Sequence, residues 1–251
     1  MDILDTDAYD KRQRRNTSCM LFLFLLPFFA SVALYFYLWI PDSAPSILAS
    51  GVKAAPVLSL AFVVLKYNGG RSLLGVAGGL VMSAGGDACL IWPNLFLMGM
   101  IFFALAHMLY SLTFLTSRYF SHSLSSCGLY FFYLLLWAAG GGIYFYLLPF
   151  LKKSPEPEVF VPAVGGYALL IVLMTSLAAR TRRPLVLLGG LVFMVSDFTL
   201  ALQQFKVVEH LEHGKHLVMT TYYLAQLLIA VGDIKATMAE QAEELHKWKR
   251  S

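Results

Sequence analysis

The stretch from Gly78 to Tyr110 reads GGLVMSAGGDACLIWPNLFLMGMIFFALAHMLY, and it is apolar almost throughout. Asp87 and His107 are the polar groups that stand out in it. A carboxylate near the centre of a bilayer costs about 2.5–3.5 kcal/mol on insertion scales, so such a residue is a candidate functional residue. Small residues before Asp87 allow another helix to approach closely. We therefore expect Asp87 to face a neighbouring helix or a watery cavity rather than lipid.

A second stretch resembles the first. Residues 189–192 repeat the letters GGLV of residues 78–81, and Asp197 then stands where Asp87 stands in the first stretch. The glycine pair and the aspartate are eight residues apart in the first stretch and seven in the second. This pattern is typical of a weak internal repeat of four plus four helices. Short glycine-rich apolar matches also arise by chance, so coincidence stays open as the alternative.

The composition is that of a membrane protein. Of 251 residues, 58% are hydrophobic and only 14% are charged, whereas soluble domains carry about 25% charged residues. The net charge of +4 gives no support for nucleic-acid binding. Three scattered cysteines, Cys19, Cys89 and Cys127, make no disulfide framework.

Eight apolar stretches are each close to the roughly 20 residues that a helix needs to cross a bilayer. They predict an all-α polytopic membrane protein with eight transmembrane helices, a polar N-terminal tail at 1–18, a membrane domain at 19–234 and a polar C-terminal tail at 235–251. The predicted spans are 19–40, 46–66, 72–92, 95–115, 125–148, 159–179, 184–204 and 216–234.

The basic residues predict the orientation. If the N-terminus is cytosolic, fourteen lysines and arginines lie on the cytosolic side, four lie on the far side, and Lys53 lies inside the membrane. Both termini are then cytosolic. The chain ends in Lys247-Trp248-Lys249-Arg250-Ser251, a K-x-K-x-x pattern of the kind that receptors read as retrieval to the endoplasmic reticulum. A plain basic tail beside the membrane is the equally open alternative.

Polar groups at one depth predict one site. With about 1.5 Å of rise per helical residue, four of them come out roughly 8–10 Å below the far-side interface, and two come out roughly 15–18 Å below it. The shallower four are Lys53, Asp87, Asp197 and Tyr222, and the deeper two are Gln226 and His107. Ser83, Ser196 and Tyr223 stand beside them as supporting residues. The alternative is that all of these side chains only hold helices together.

Two carboxylates in a poorly solvated site do not both ionise easily, so one tends to hold a proton while the other stays charged. Such a pair suits acid–base hydrolysis or proton-coupled transport. A catalytic zinc site usually needs three protein ligands, and only one histidine lies at depth. His210, His213 and His216 are spaced i, i+3, i+6, but they stand in or beside a connecting loop, which disfavours a metal site. No G-x-S-x-G elbow and no phosphate-binding P-loop is present.

Motifs from the first span to the last carry a resemblance to a known family. They are Leu38-Trp39-Ile40-Pro41, Lys53-x-x-Pro56, Ser83-x-x-Gly86-Asp87-Ala88-Cys89-Leu90-Ile91-Trp92-Pro93, Ala106-His107-Met108-Leu109-Tyr110, Ser196-Asp197 and Met219-Thr220-Thr221-Tyr222-Tyr223-Leu224-Ala225-Gln226-Leu227-Leu228. In their order and spacing, they resemble the YhhN-like family of eight-span lysoplasmalogenases, and in particular its vertebrate transmembrane members.

The resemblance implies hydrolysis of the vinyl ether bond of lysoplasmalogens to a fatty aldehyde and glycerophosphocholine or glycerophosphoethanolamine. It also implies no metal or organic cofactor, and residence in the endoplasmic reticulum membrane. Vinyl ethers hydrolyse by protonation of carbon, which a protonated aspartate can perform. Asp87 is the favoured acid in this interpretation, and Asp197 is the second carboxylate. Lys53 or His107 would position the phosphate or hold the carboxylate pair in its charge state.

Three rival functions stay open at this point. Polar groups near the midplane and a parallel repeat also suit a proton-coupled transporter. An intramembrane aspartyl protease is disfavoured, because Ala84 stands where that family has the first glycine of Gly-x-Gly-Asp. A membrane scaffold would use the aspartates only to lock helices together. The lipid substrate and the membrane are the expected partners, and a homodimer is left open.

Overall fold

The computed structural model describes residues 3–38, 44–119, 127–208 and 214–248. Within these ranges the chain forms eight α-helices and no strand, which confirms the all-α prediction. The helices are α1 Ile3–Tyr37, α2 Ile47–Asn68, α3 Val76–Cys89, α4 Phe96–Phe114, α5 Cys127–Leu151, α6 Pro157–Arg180, α7 Pro184–Gln204 and α8 Gly214–Trp248. Seven of these helices contain a segment that is long and apolar enough to cross a membrane.

The helix α3 differs from the prediction of a continuous span at 72–92. It has 14 residues, which give a length of about 21 Å, less than a bilayer core of about 30 Å. At Gly75 the backbone leaves helical values, with φ −139° and ψ −136°, and a 3-10 helix precedes it. Trp92 is extended before Pro93, as residues before proline tend to be. Glycine and proline therefore shorten α3 where hydropathy alone predicts a full span.

The first and last helices extend beyond the predicted membrane domain of 19–234. The helix α1 begins at Ile3, and α8 continues to Trp248. The last three residues of the retrieval-like tail lie outside the described residues. So do Trp39-Ile40-Pro41 of the first motif, and His210 and His213 of the three loop histidines.

Glycines set the closest helix contacts. The helix α3 packs between α2 and α4, and α7 packs along α8. A Cβ at Gly79 would lie 2.3 Å from the ring of Tyr110, and one at Gly86 would lie 2.6 Å from the ring of Phe103. The absence of side chains at these two positions lets α4 bring its aromatic rings directly against α3.

Replacing Gly189 by alanine is expected to lower the free energy of unfolding by about 1–3 kcal/mol, because overpacking forces a close contact apart. The new Cβ would lie 2.7 Å from Cγ1 of Ile229 and 3.2 Å from the backbone oxygen of Ala225, so the α8 backbone has to move. Thermal unfolding in detergent micelles measures the effect.

Gly166 supplies the matched control. A Cβ there meets nothing within 4 Å, so Gly166→Ala is expected to be neutral or to stabilise the helix by up to about 1 kcal/mol. Equal losses of stability in the two variants would show that the α7–α8 contact at Gly189 does not decide the result.

A buried ionic group joins α8 to neighbouring segments at the end of the bundle where α2 ends. The carboxylate of Asp233 on α8 is fully buried. Its Oδ1 accepts hydrogen bonds from the Tyr119 hydroxyl at 2.7 Å and from Nη1 of Arg118 at 3.3 Å, and its Oδ2 accepts one from the Asn68 side chain. Arg118 also donates to Thr237 on α8. These bonds join the end of α2 and the segment after α4 to α8.

The Tyr119 hydroxyl gives a pH-dependent test of this group. Burial, and then the neighbouring Asp233 carboxylate, raise the pKa of Tyr119 well above its ordinary value. Above pH about 10 an unfolded tyrosine loses its proton while native Tyr119 keeps it, so this contribution to stability falls as pH rises. Below that pH we expect Tyr119→Phe to be less stable than wild type by about 1–3 kcal/mol.

Unfolding of both proteins at about pH 8 and about pH 11 checks the prediction, because the two values lie on either side of the tyrosine pKa. The difference in stability between them is expected to shrink at the higher pH. A difference that stays constant would contradict the assignment of the raised pKa to Tyr119.

Candidate active site

Asp87 belongs to a buried group formed by α2, α3 and α8. Its Oδ2 accepts a hydrogen bond of 2.7 Å from the Tyr222 hydroxyl, and its Oδ1 lies 4.0 Å from Nζ of Lys53. The neighbouring Tyr223 hydroxyl donates to the backbone oxygen of Lys53 at 2.8 Å. Asp87 is only 1% exposed and Lys53 8%. The opposite charge of Lys53 therefore partly offsets the cost of burying a carboxylate here.

A second buried polar group lies between α3, α4 and α8. The Tyr110 hydroxyl donates to Oε1 of Gln226 at 2.7 Å and lies 3.5 Å from the Ser83 hydroxyl. Gln226 is completely buried, and its Nε2 has no hydrogen-bond partner among the described residues. This group joins three helices through uncharged hydrogen bonds.

Asp197 forms a third group with α4 and α6. Its Oδ2 accepts a hydrogen bond of 2.6 Å from the Tyr167 hydroxyl and lies 3.3 Å from Nε2 of His107. The same His107 nitrogen lies 3.0 Å from the Tyr167 oxygen. Within the described part of the chain, no hydrogen bond ends on Oδ1, and 15% of the Asp197 side chain is exposed. One oxygen of Asp197 is thus held by the protein while the other stays accessible.

Aromatic rings separate the first group from the third. The ring of Phe193 stands edge-on to the rings of both His107 and Tyr222, with centroids 4.7 and 5.7 Å apart. Phe103 makes a similar edge contact with Tyr222 at 5.7 Å. The two carboxylates therefore do not share one hydrogen-bond network, although each lies next to this aromatic wall.

A small apolar cavity of about 50 Å³ reaches the Asp197 group between α4, α6 and α7. Tyr167 and Asp197 are the polar residues of its lining. The remaining lining residues are Leu90, Phe96, Met100, Phe103, Val164, Leu200, Ala201 and Phe205. An apolar pocket with a few polar groups at one place is the usual form of a site for a small hydrophobic ligand.

The predicted site residues divide among these groups. Lys53, Asp87 and Tyr222 do come together, while Asp197 faces another side and meets His107. The remaining predicted residues, Ser83, Tyr223 and Gln226, lie in the groups described above, but Ser196 donates to the backbone oxygen of Val218 at 3.0 Å and only joins α7 to α8. The expectation of two carboxylates side by side does not match this geometry.

The sequence analysis missed Tyr167. It is the single tyrosine of α6 and directly follows the pair Gly165-Gly166. A hydroxyl at depth in an apolar span was the available signal, but a tyrosine in that position is also an ordinary packing residue. The described residues contain no cluster of three or more His, Cys, Asp or Glu side chains arranged to hold a metal ion.

Comparison with known proteins identifies the family of this chain. Residues 48–232 match the profile of the YhhN family. The chain belongs to the YhhN family. Every residue of the three polar groups lies within the matched range, from Lys53 on α2 to Gln226 on α8. The resemblance inferred from the motifs is thereby confirmed.

Named relatives of this YhhN-family chain match it over most of its length. It is 39% identical over 215 residues to lysoplasmalogenase TMEM86B of Homo sapiens, and the aligned residues cover 84% of this chain and 87% of the relative. It is 40% identical over 209 residues to TMEM86B of Sus scrofa, covering 82% and 84%, and 33% identical over 249 residues to lysoplasmalogenase TMEM86A of Bos taurus, covering 90% and 94%. No solved structure matches the chain.

Proposed function

We propose that this protein is a membrane-embedded lysoplasmalogenase, which hydrolyses the vinyl ether bond of lysoplasmalogens to a fatty aldehyde and a glycerophospho-headgroup product. One observation carries the proposal: in a chain so similar to named lysoplasmalogenases, a carboxylate with an accessible oxygen stands beside an apolar cavity. The apolar lining of this cavity offers a place for the alkenyl carbons next to the ether bond. When protonated, the carboxyl group of Asp197 can donate the proton that vinyl ether hydrolysis requires.

Asp197 is the proton donor in this proposal. Its protonated Oδ1 transfers a proton to the alkenyl carbon that is remote from the ether oxygen, and the carbon–carbon double bond becomes an oxocarbenium ion. A water oxygen then bonds to the carbon next to the ether oxygen, while the Asp197 carboxylate takes a proton from that water. The hemiacetal breaks its bond to the glycerol oxygen, which receives the remaining hydroxyl proton. The products are the aldehyde and the glycerophospho compound, and Asp197 is protonated again.

This assignment departs from the sequence interpretation, which favoured Asp87 as the acid. Asp87 lies behind Phe103, and it does not belong to the lining of the cavity at Asp197. We propose that Asp87, Lys53 and Tyr222 support the wall that Phe103 forms. A general acid has to reach the atom that it protonates, and Asp197 meets that requirement in the cavity described here.

We also propose that the chain crosses the endoplasmic reticulum membrane eight times, with both termini in the cytosol. The distribution of basic residues favours this orientation. The helix α3 would cross together with the 3-10 helices Gly70–Leu74 and Pro93–Leu95 on either side of it. A four-plus-four repeat is part of this proposal, and the letters GGLV at residues 78–81 of α3 and 189–192 of α7 support it. The proposed cavity forms within one chain.

Aldehyde release by purified protein tests the function. In nanodiscs, we expect cleavage of lysoplasmenylethanolamine or lysoplasmenylcholine, with equal amounts of aldehyde and glycerophospho product and without any added cofactor. The matched control is the lysolipid with a saturated ether at the same position, which has no double bond to protonate and is expected to remain intact. Absence of aldehyde from both vinyl ether lipids would overturn the proposal and favour the proton-coupled transporter.

A further inference from the structure

Two donors converge on one oxygen of Asp197, and their geometry leads to a specific role. We propose that Tyr167 and His107 are positioning residues, which place the transferable proton of Asp197 on Oδ1 and stabilise the carboxylate that remains after transfer. The inference rests on the proposed lysoplasmalogenase function. It assigns Tyr167 to the site, and it replaces the phosphate-positioning role considered for His107.

Tyr167 fixes the first hydrogen bond. A tyrosine hydroxyl has one hydrogen, and the short distance of 2.6 Å directs it to Oδ2 of Asp197. The Tyr167 oxygen can then only accept a hydrogen bond from His107, whose Nε2 lies 3.0 Å away. Nε2 must therefore carry a hydrogen, which points toward both the Tyr167 oxygen and Oδ2 of Asp197 at 3.3 Å.

The other ring nitrogen of His107 supports the same arrangement. His107 is fully buried, and Nδ1 has no hydrogen-bond partner among the described residues. A hydrogen on Nδ1 would be a buried donor without an acceptor, which is unfavourable. The ring therefore carries its hydrogen on Nε2, and the edge contact with Phe193 at 4.7 Å holds the ring in that orientation.

With two donors directed at it, Oδ2 serves as an acceptor and not as the site of the acid proton. The proton of the carboxylic acid then resides on Oδ1, the oxygen that no other described residue occupies. When Oδ1 gives up its proton, the negative charge spreads onto Oδ2, where hydrogen bonds to a charged group are stronger than those to a neutral one. Tyr167 and His107 thus favour the transfer without contacting the reacting carbon.

Steady-state kinetics of wild type and four variants tests the inference. Tyr167→Phe removes one donor, and we expect kcat to fall about ten- to a hundredfold while KM stays within about threefold of wild type. His107→Leu is expected to show a similar loss, and His107→Gln, whose amide keeps an N–H donor, is expected to recover most of it. Ser176→Ala is the control on α6, because that hydroxyl bonds only the backbone oxygen of Val172 in its own helix.

Folding of each variant is checked by gel filtration and thermal unfolding in the same nanodiscs. A folded Tyr167→Phe with the kcat of wild type would overturn the inference and leave the lysoplasmalogenase function intact. If Tyr167→Phe fails to fold, the histidine pair decides: equal losses in His107→Gln and His107→Leu overturn the role of the donor, and recovery in His107→Gln supports it. If wild type itself releases no aldehyde, the proposed function fails, and the inference fails with it.

Discussion

Asp197→Asn is expected to lower kcat for aldehyde release about a thousandfold, within the range that general acid–base catalysis contributes. The amide has the size of the carboxylic acid, but it cannot donate a proton to carbon or take one from water. Oδ2 of Asp197 has an equivalent in the amide oxygen, which can still accept from Tyr167. We therefore expect the variant to fold, and to bind the lysolipid with nearly the affinity of wild type.

Kinetics with lysoplasmenylethanolamine measures kcat, and binding of a saturated ether analogue measures the affinity for the lysolipid separately. The matched control is Asp233→Asn, which changes another buried carboxylate, about 16 Å along α8 from Tyr222. It is expected to lower stability and to keep the kcat of the protein that remains folded. A folded Asp197→Asn with more than about a tenth of the wild-type kcat is incompatible with a general acid at this position.

Hydropathy predicts most of the fold, because a long apolar segment has few ways to satisfy its backbone within a bilayer other than as a helix. The helices α2, α4, α6 and α7 accordingly fall close to their predicted spans. The helix α3 is the exception, since a hydropathy average does not register the backbone freedom of Gly75 or the restriction that Pro93 imposes. Local conformation decides the length of this helix within an apolar stretch.

The predicted depth of the polar residues in the membrane identifies part of the candidate site. Residues at a common distance from the interface can meet only when they also face the same side of their helices. Lys53, Asp87 and Tyr222 meet both conditions. Asp197 has the same predicted depth, but it faces α4 and α6 and contacts His107, whose predicted depth is greater. The sequence contains no independent signal for the rotation of α7, because its glycine pair and its aspartate suit either orientation. Tyr167 was missed for the same reason, since its hydroxyl became meaningful only beside Asp197.

Asp87→Leu is expected to destabilise the protein by about 3–5 kcal/mol, because it leaves the ammonium group of Lys53 buried without its counter-charge. The double variant Lys53→Met/Asp87→Leu is expected to recover much of that loss, since an apolar pair of similar size often replaces a buried ion pair without cost. It would still leave the Tyr222 hydroxyl without its acceptor, at about 1–3 kcal/mol. Adding Tyr222→Phe removes that hydroxyl and is expected to restore stability further.

The activity of the triple variant separates two roles for Asp87. If Asp87 only supports the wall that Phe103 forms, the triple variant should retain a kcat within about tenfold of wild type. Asp197 keeps its contacts with Tyr167 and His107 in that variant. If the triple variant is as stable as wild type but releases no aldehyde, Asp87 acts on the substrate directly. The division into one catalytic and one supporting carboxylate would then be wrong, and the original interpretation of two catalytic aspartates would be correct.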